Sequence, residues 1–247
     1  MRTVAIIPAR YESSRLRGKP LADICARPMI WWVYQRVLQC EKIDAVYVAT
    51  DNAQIQKVCT QYGINSVMTS PLHRSSTERL YEVAQTIAAD VYVCVNGDEP
   101  LIEPATVQQV IPREGTAFFA CNLMTKIHNP VEAVDDTNIK VVTDEAGYAL
   151  FMSRSPIPHP KSSVDYSYYK HLGVLAYSLE ALRFFAQTSR GPLEAIEDIN
   201  ELRFIEHGKK LQMIPVEAHT LSVDTPKDLD FVRGIIQKKL ERGEITL

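Results

Sequence analysis

Arg10, Arg15, Arg17 and Lys19 place four cations within ten residues, just after the apolar run Ala5-Ile6-Ile7-Pro8-Ala9. Guanidinium forks and an ammonium point charge suit phosphate oxygens, and the N–H groups of a loop add to the field. The loop is neither a P-loop nor a dinucleotide fingerprint: Gly-x-x-x-x-Gly-Lys-Ser/Thr and Gly-x-Gly-x-x-Gly are both absent. A solvated basic loop is the plain alternative, because loops are usually polar.

Two acidic segments complement those cations. Asp98 and Glu99 follow Gly97 at the end of the apolar run Val91–Val95, and Asp224 stands in Ser222-Val223-Asp224-Thr225-Pro226. Hard carboxylate oxygens suit Mg²⁺, and a nucleotide phosphate completes its shell. Asp98 and Asp224 facing the Arg10/Arg15/Lys19 loop would hold Mg²⁺ on a triphosphate while the cations neutralise the charge that builds during transfer. Taken singly, Asp98 reads as a turn residue and Asp224 as a helix-capping one. His73-Arg74-Ser75-Ser76-Thr77-Glu78-Arg79 opens a helix. It reads either as a capping segment, with Ser75 or Ser76 as N-cap, or as a loop that touches a base or sugar. Tyr168-Tyr169-Lys170-His171 precedes a strand, so His171 is either a ligand contact or a satisfied interior histidine.

The elements that would carry these residues alternate. Strands are expected at Thr3–Pro8, Ala45–Thr50, Ser66–Met68 and Val91–Val95. Helices are expected at Pro28–Gln39, Asn52–Tyr62 and Thr77–Ala88. Apolar runs of this length separated by helices predict an α/β fold: a mostly parallel, twisted sheet with helices on both faces. Ligands of such sheets bind beyond the carboxyl ends of the strands, which brings the Pro8, Asp51 and Asn96–Pro100 loops to one crevice. The second half reads as strands at Thr116–Leu123, Ile139–Val142, Tyr148–Met152, Leu172–Tyr177 and Leu211–Val216. Helices are expected at Leu193–His207 and from Thr225-Pro226 towards Glu241. Ser155-Pro156-Ile157-Pro158-His159-Pro160 cannot continue a ladder and reads as an extended arm. One domain over residues 1–247 is expected, with a smaller mixed α+β subdomain interleaved at about 125–210.

Composition narrows the classes. With 27 Lys+Arg against 30 Asp+Glu, the net charge of −3 argues against nucleic acid as a bulk partner. Five cysteines without Cys-x-x-Cys spacing argue against a disulfide framework and against a zinc site. No stretch approaches membrane-spanning length and no secretory leader is apparent, so a cytoplasmic location without membrane association is expected.

Joined in order, several segments are similar to the 3-deoxy-D-manno-octulosonate (Kdo) cytidylyltransferases. They are Ile7-Pro8-Ala9-Arg10-Tyr11, Ser14-Arg15-Leu16, Gly18-Lys19-Pro20-Leu21, Val48-Ala49-Thr50-Asp51, Thr77-Glu78-Arg79-Leu80, Gly97-Asp98-Glu99-Pro100, Ser153-Arg154, Lys170-His171-Leu172-Gly173 and Val223-Asp224-Thr225-Pro226. The resemblance runs nearly end to end. It implies CMP transfer from CTP to a 2-keto sugar acid, release of pyrophosphate, a Mg²⁺ requirement and a homodimer whose partner lies near Pro156–Pro160. By the same resemblance, Arg10, Arg15, Lys19 and Asp98 carry catalysis, and Asp98 and Asp224 hold the metal. Pro8, Ala9, Arg10, Arg15, Lys19, Arg74, Ser75, Thr77 and Asn96 would contact the nucleotide. Asn96, Arg154, His171, Glu194, Glu197, Asn200 and Glu201 would contact the acid.

The chain departs from the family pattern at Asn96 (usually Gln), at Ser75-Ser76-Thr77 (usually Ser-Gly-Thr), at Ala26-Arg27-Pro28-Met29 (usually Gly-Lys-Pro-Met) and at Ile199-Asn200-Glu201-Leu202-Arg203 (usually Leu-Glu-Gln-Leu-Arg). Such changes in buried polar contacts can alter the accepted acid, towards an amino-sugar analogue or a phosphonate-type acid. Two rival readings are a nucleotidyltransferase acting on a sugar phosphate with UTP or dTTP, and a non-catalytic nucleotide-binding module.

Overall fold

The computed structural model describes residues 1–12, 16–113, 118–162, 166–218 and 221–246. In chain order the elements are β1 (Thr3–Ala9), β2 (Asp23–Ile24), β3 (Arg27–Pro28), α1 (Met29–Leu38), β4 (Ala45–Thr50), α2 (Ala53–Gln61), β5 (Ser66–Met68), α3 (Ser76–Ala84), β6 (Val91–Val95) and α4 (Pro104–Val107). They continue with β7 (Ala120–Lys126), α5 (Pro130–Val134), β8 (Lys140–Thr143), β9 (Ala149–Ser153), β10 (Tyr169–Tyr177), α6 (Leu179–Gln187), α7 (Pro192–Glu197), α8 (Leu202–Glu206), β11 (Gln212–Pro215) and α9 (Pro226–Glu241).

The main sheet runs β11-β7-β10-β6-β1-β4-β5. β1 pairs parallel with both β4 and β6, and β4 with β5, as the apolar strand–helix alternation predicts. β10 is the one strand on this path that runs against its neighbours, antiparallel to β6 and to β7. The β8–β9 hairpin hangs from β10 through Tyr169 and Lys170. The fold is therefore α/β and mostly parallel, with the mixed part confined to the second half. Pro8 fits inside a central strand because the β1–β6 ladder ends at Ile6, so nothing on that side needs its missing N–H.

Alternation along the strands builds a core on each face. Ile7, Val48, Val93 and Val174 meet Val33 and Val37 of α1 and Ile55 of α2. Ile6, Tyr92 and Leu175 meet Leu80 of α3, Phe185 of α6 and Phe204 of α8 on the other. A third cluster of Met29, Trp32, Val223, Leu229, Val232 and Ile236 docks α9 against α1, which fixes Asp224 at the head of α9.

Local chemistry sets the helix starts. Ser75 caps α3 by accepting from the Glu78 N–H at 3.1 Å. Thr225 and Asp228 form a reciprocal capping box at α9. The expected long helix over Leu193–His207 is instead two short ones, α7 and α8. The chain turns left-handed at Asp198 (φ 52°) and breaks the pattern there. α6 was not anticipated, although Ser178 caps it and Ala181, Leu182 and Phe185 are buried at helical spacing. The strand expected at Thr116–Leu123 is β7, displaced to Ala120–Lys126; residues 114–117 lie outside the described residues. β10 begins three residues earlier than expected, so His171 lies within it.

Candidate active site

The carboxyl ends of the parallel strands open on a cavity of about 620 Å³. β1 delivers Pro8, Ala9 and Arg10; β6 delivers Asn96, Gly97 and Asp98; the N-terminal turn of α3 brings Arg74, Ser75, Ser76 and Arg79. Glu12, Lys19, Pro20, Arg154, Asp198, Asn200 and Asp224 complete the wall. Asp98 and Asp224, 126 positions apart in the chain, meet on one ammonium. Lys19 Nζ donates to Asp98 Oδ2 at 2.8 Å, to Asp224 Oδ1 at 3.1 Å and to the Val223 carbonyl at 2.9 Å. Burial alone would lower the Lys19 pKa; Asp98 and Asp224 outweigh it and hold the group above its ordinary value. The Val223 N–H donates to the Asp98 carbonyl at 2.8 Å, which clamps the two acidic segments side by side.

Close backbone approach shapes the floor. A β-carbon on Gly97 would lie 2.9 Å from the Pro8 carbonyl oxygen, so the turn after β6 can pass over β1 only as glycine. One on Gly173 would lie 2.5 Å from Asn96 Nδ2 and 2.7 Å from Glu99 Oε1, so β10 leaves that space to the Asn96 amide. Glu99 is buried below. Its Oε1 accepts from the Gly173 N–H at 3.2 Å and its Oε2 has no partner among the described residues. Burial, with Asp98 adding to it, pushes the Glu99 carboxyl up to about 8. Arg79 is 1% exposed and donates to Asp51 Oδ2 at 2.7 Å and to the Thr69 hydroxyl, which ties α3 to the ends of β4 and β5.

The sequence model of the cytidylyltransferase family matches residues 4–211. A 3-deoxy-manno-octulosonate cytidylyltransferase of Hydrogenovibrio crunogenus is 39% identical over 96% of this chain and 98% of its own length. One of Escherichia coli is 37% identical over 97% and 98%. The chain belongs to the 3-deoxy-manno-octulosonate cytidylyltransferase family. A solved CMP:2-keto-3-deoxy-manno-octonic acid synthetase, complexed with CTP, superposes with a TM-score of 0.91 at 37% identity, covering 97% of this chain and all of its own. A cytidylyltransferase of Leptospira borgpetersenii shares the fold alone, at 16% identity and a TM-score of 0.66.

Within this cytidylyltransferase the residues expected for the nucleotide come together: Pro8, Ala9, Arg10, Lys19, Arg74, Ser75 and Asn96 all line the cavity, while Arg15 lies outside the described residues. Thr77 does not reach the wall. It is 2% exposed and bonds to Tyr177, and Ser76 takes the place beside Ser75.

On the acid side, Arg154 and Asn200 line the cavity. Glu194 is a correction. Its side chain is 1% exposed and both oxygens accept from Arg203, at 2.7 and 2.6 Å, so it serves a buried ion pair between α7 and α8. Glu197 is another. It accepts from the Ser153 hydroxyl at 2.6 Å and from the Arg154 N–H at 2.9 Å, which positions Arg154, and it does not line the cavity itself. The Arg154 guanidinium is further held by the carbonyls of Glu197, Asp136 and Asp198. The left-handed turn at Asp198 therefore aims a carbonyl at the arginine. Glu201 is buried behind Asn200 rather than on the wall, and burial pushes its carboxyl up to about 7. His171 stands behind the cavity lining on β10 and faces Asn122. Sequence reasoning missed Glu12, Pro20 and Asp198 as wall residues, and held Ser76 and Arg79 only within the segment read as a helix cap or a loop touching a base or sugar. Arg79 had a signal, since it stands four residues before Val83, on the face of α3 marked by Leu80, Val83 and Ala84.

Among the described residues no group of three or more His, Cys, Asp and Glu could enclose a metal. The two carboxylates nevertheless converge on a single cation, Lys19. Two hard oxygen ligands with an open side suit Mg²⁺ that takes the rest of its shell from phosphates and water.

Proposed function

We propose that this chain transfers CMP from CTP to 3-deoxy-D-manno-octulosonate, or to a close 2-keto-3-deoxy sugar acid, and releases pyrophosphate in a Mg²⁺-dependent reaction. The observation that carries the reading is the meeting of Arg10, Lys19, Asp98 and Asp224 on one cavity, with Arg154 and Asn200 on the same wall. Its 620 Å³ falls in the range of about 300–1,000 Å³ usual for ligand sites. The 37% identical structure solved with CTP supports CTP as the nucleotide.

In this reading Arg10, Arg15 and Lys19 grip the triphosphate, and Arg74, Ser75 and Ser76 lie beside the base and ribose. Asn96 stands between the two substrates. Asp98 and Asp224 hold Mg²⁺, which when bound supplies charge neutralisation on the phosphates. Arg154, positioned by Glu197, takes the carboxylate of the acid, with Asn200 and His171 towards its hydroxyls and Glu201 buried behind Asn200. The anomeric oxygen bonds to the α-phosphorus as the bond from that phosphorus to the bridging oxygen breaks, and its proton is released to water. Pyrophosphate leaves with the bridging oxygen. No group of the chain need form a covalent bond; positioning and charge neutralisation supply the rate.

Several finer points belong to the same proposal. Residues of about 125–210 act as a substrate and dimerisation subdomain. Val131, Val134 and Tyr166 leave an apolar surface there that suits a homodimer contact. The setting is cytoplasmic, where CTP is available. No helix among the described residues is long and apolar enough to cross a membrane. Asn96, Asn200 and Glu201, where the chain departs from the family pattern, favour one second reading, in which the acid is an amino-sugar or phosphonate-type analogue. Pyrophosphate release from CTP and Mg²⁺ over a panel of acids tests both. Best turnover with Kdo supports the first, and best turnover with an analogue supports the second. Release with no acid overturns the transferase reading.

A further inference from the structure

β10 carries an irregularity between His171 and Leu175, where its register against β7 shifts. A shift of this kind leaves strand carbonyls without their ladder partners. Asn122, fully buried on β7, meets them: its Nδ2 donates to the Leu172 carbonyl at 2.8 Å and to the Val174 carbonyl at 3.0 Å. Those two bonds use both amide hydrogens and fix which way the amide points. Its Oδ1 then faces His171 Nδ1 at 3.1 Å. A carbonyl oxygen can only accept, so Nδ1 must carry the hydrogen. In a neutral ring the lone pair is then on Nε2, which has no hydrogen-bond partner among the described residues.

We propose that Asn122 is a positioning residue that locks His171 as the Nδ1–H tautomer, so that His171 meets the acid substrate as a hydrogen-bond acceptor for a sugar hydroxyl and not as a cation for its carboxylate. The proposal rests on the reading that His171 borders the acid pocket. Two neighbours on the wall support that reading. Gly173, two residues on, lies under the Asn96 amide, which lines the cavity. Arg154, also on the wall, is near enough to act on the imidazole: burial and then Arg154 lower the His171 pKa to about 4. A neutral ring beside a guanidinium divides the recognition, with the cation for the carboxylate and the ring nitrogen for a hydroxyl.

The tautomer is read directly from the ring ¹⁵N shifts of His171 in the labelled, substrate-free protein. The expected result is a protonated, pyrrole-type Nδ1 and a pyridine-type Nε2; the reverse pattern overturns the proposal. Asn122→Thr supplies a hydroxyl that can donate as well as accept, so it releases the lock. We expect its His171 to gain the Nε2–H form and its KM for the acid to rise about three- to tenfold, the scale of one neutral hydrogen bond, with KM for CTP unchanged. An unaltered tautomer in this variant contradicts the role of Asn122.

If Asn122→Thr does not fold, substitutions at His171 decide. His171→Gln retains an acceptor and should keep KM for the acid within about tenfold of the parent. His171→Lys replaces it with a cation and should raise KM roughly 100-fold. The opposite order overturns the proposal. Absence of any CMP transfer by the parent chain would sink the functional reading itself, whereas the ¹⁵N pattern needs no substrate, so the two failures are separable.

Discussion

Lys19 spends all three ammonium donors on Asp98, Asp224 and the Val223 carbonyl. It therefore stands at the point where two carboxylates would receive a divalent ion, and in the proposed reaction it would exchange those oxygens for phosphates when nucleotide arrives. Lys19→Ala should let the nucleotide-free protein bind Mn²⁺ about tenfold more tightly, measured from the free Mn²⁺ signal by electron paramagnetic resonance. CMP transfer by the same variant should fall roughly 100-fold or more. Unchanged Mn²⁺ affinity would show that lysine and metal do not share the carboxylates.

Glu201 gives a signed pH test. Burial raises its carboxyl from an ordinary 4.5 to about 7 in the folded chain. Between those values the unfolded chain has lost a proton that the folded chain keeps, so this group's contribution to stability falls as pH rises and levels off above about 7. Glu201→Gln should remove that slope and raise stability at pH 8 by about 1–3 kcal/mol, read by urea unfolding at pH 5 and pH 8. A parallel loss at both pH values would contradict the assignment.

Whole elements act through a few contacts. Arg203 joins α8 to Glu194 of α7 and also reaches the carbonyls of Phe185 and Thr188 at the end of α6. Arg203→Met strips the buried Glu194 carboxylate of both short bonds and leaves it only Arg190 Nε at 3.8 Å, for an expected cost of about 3–5 kcal/mol. The double replacement Arg203→Met with Glu194→Leu should recover most of it. Equal losses in the single and double variants would refute the pairing. Gly173→Ala should push β10 and the Asn96 amide apart, at about 1–3 kcal/mol, and lower kcat/KM with it. Thermal unfolding and steady-state rates check both effects, and an undisturbed variant would deny the close approach.

The same elements show what a sequence can reveal. Asp98, Arg10 and Asp224 were legible because each follows an apolar segment that ends at the carboxyl edge of the sheet or docks against it. Glu194, Glu197 and Glu201 were not separable. Three carboxylates within eight positions look alike until the Asp198 turn decides which meets Arg203, which meets Arg154 and which is buried. α6 was overlooked although Ser178 caps it and its buried positions keep helical spacing. The antiparallel course of β10 depends on long-range pairing with β6 and β7, which no local period encodes.

At the scale of the molecule, the parallel half of the sheet brings Arg10, Asn96 and Asp98 to the cavity, and the mixed half brings Arg154, with Asn200 beyond it. Only the join of the halves at β10 and β6 makes one cavity of them. The apolar surface at Val131, Val134 and Tyr166 predicts a homodimer by sedimentation equilibrium, and Val131→Asp with Val134→Asp should shift it towards monomer. A wild-type monomer at micromolar concentration would deny that contact.

The most direct test of the account is ³¹P NMR of the purified chain with CTP, Mg²⁺ and Kdo. Resonances of a CMP phosphodiester and of pyrophosphate should grow together in equal amounts, and neither should form with Asp98→Asn. Pyrophosphate without the phosphodiester, or intact CTP after long incubation with every 2-keto acid tried, would contradict it.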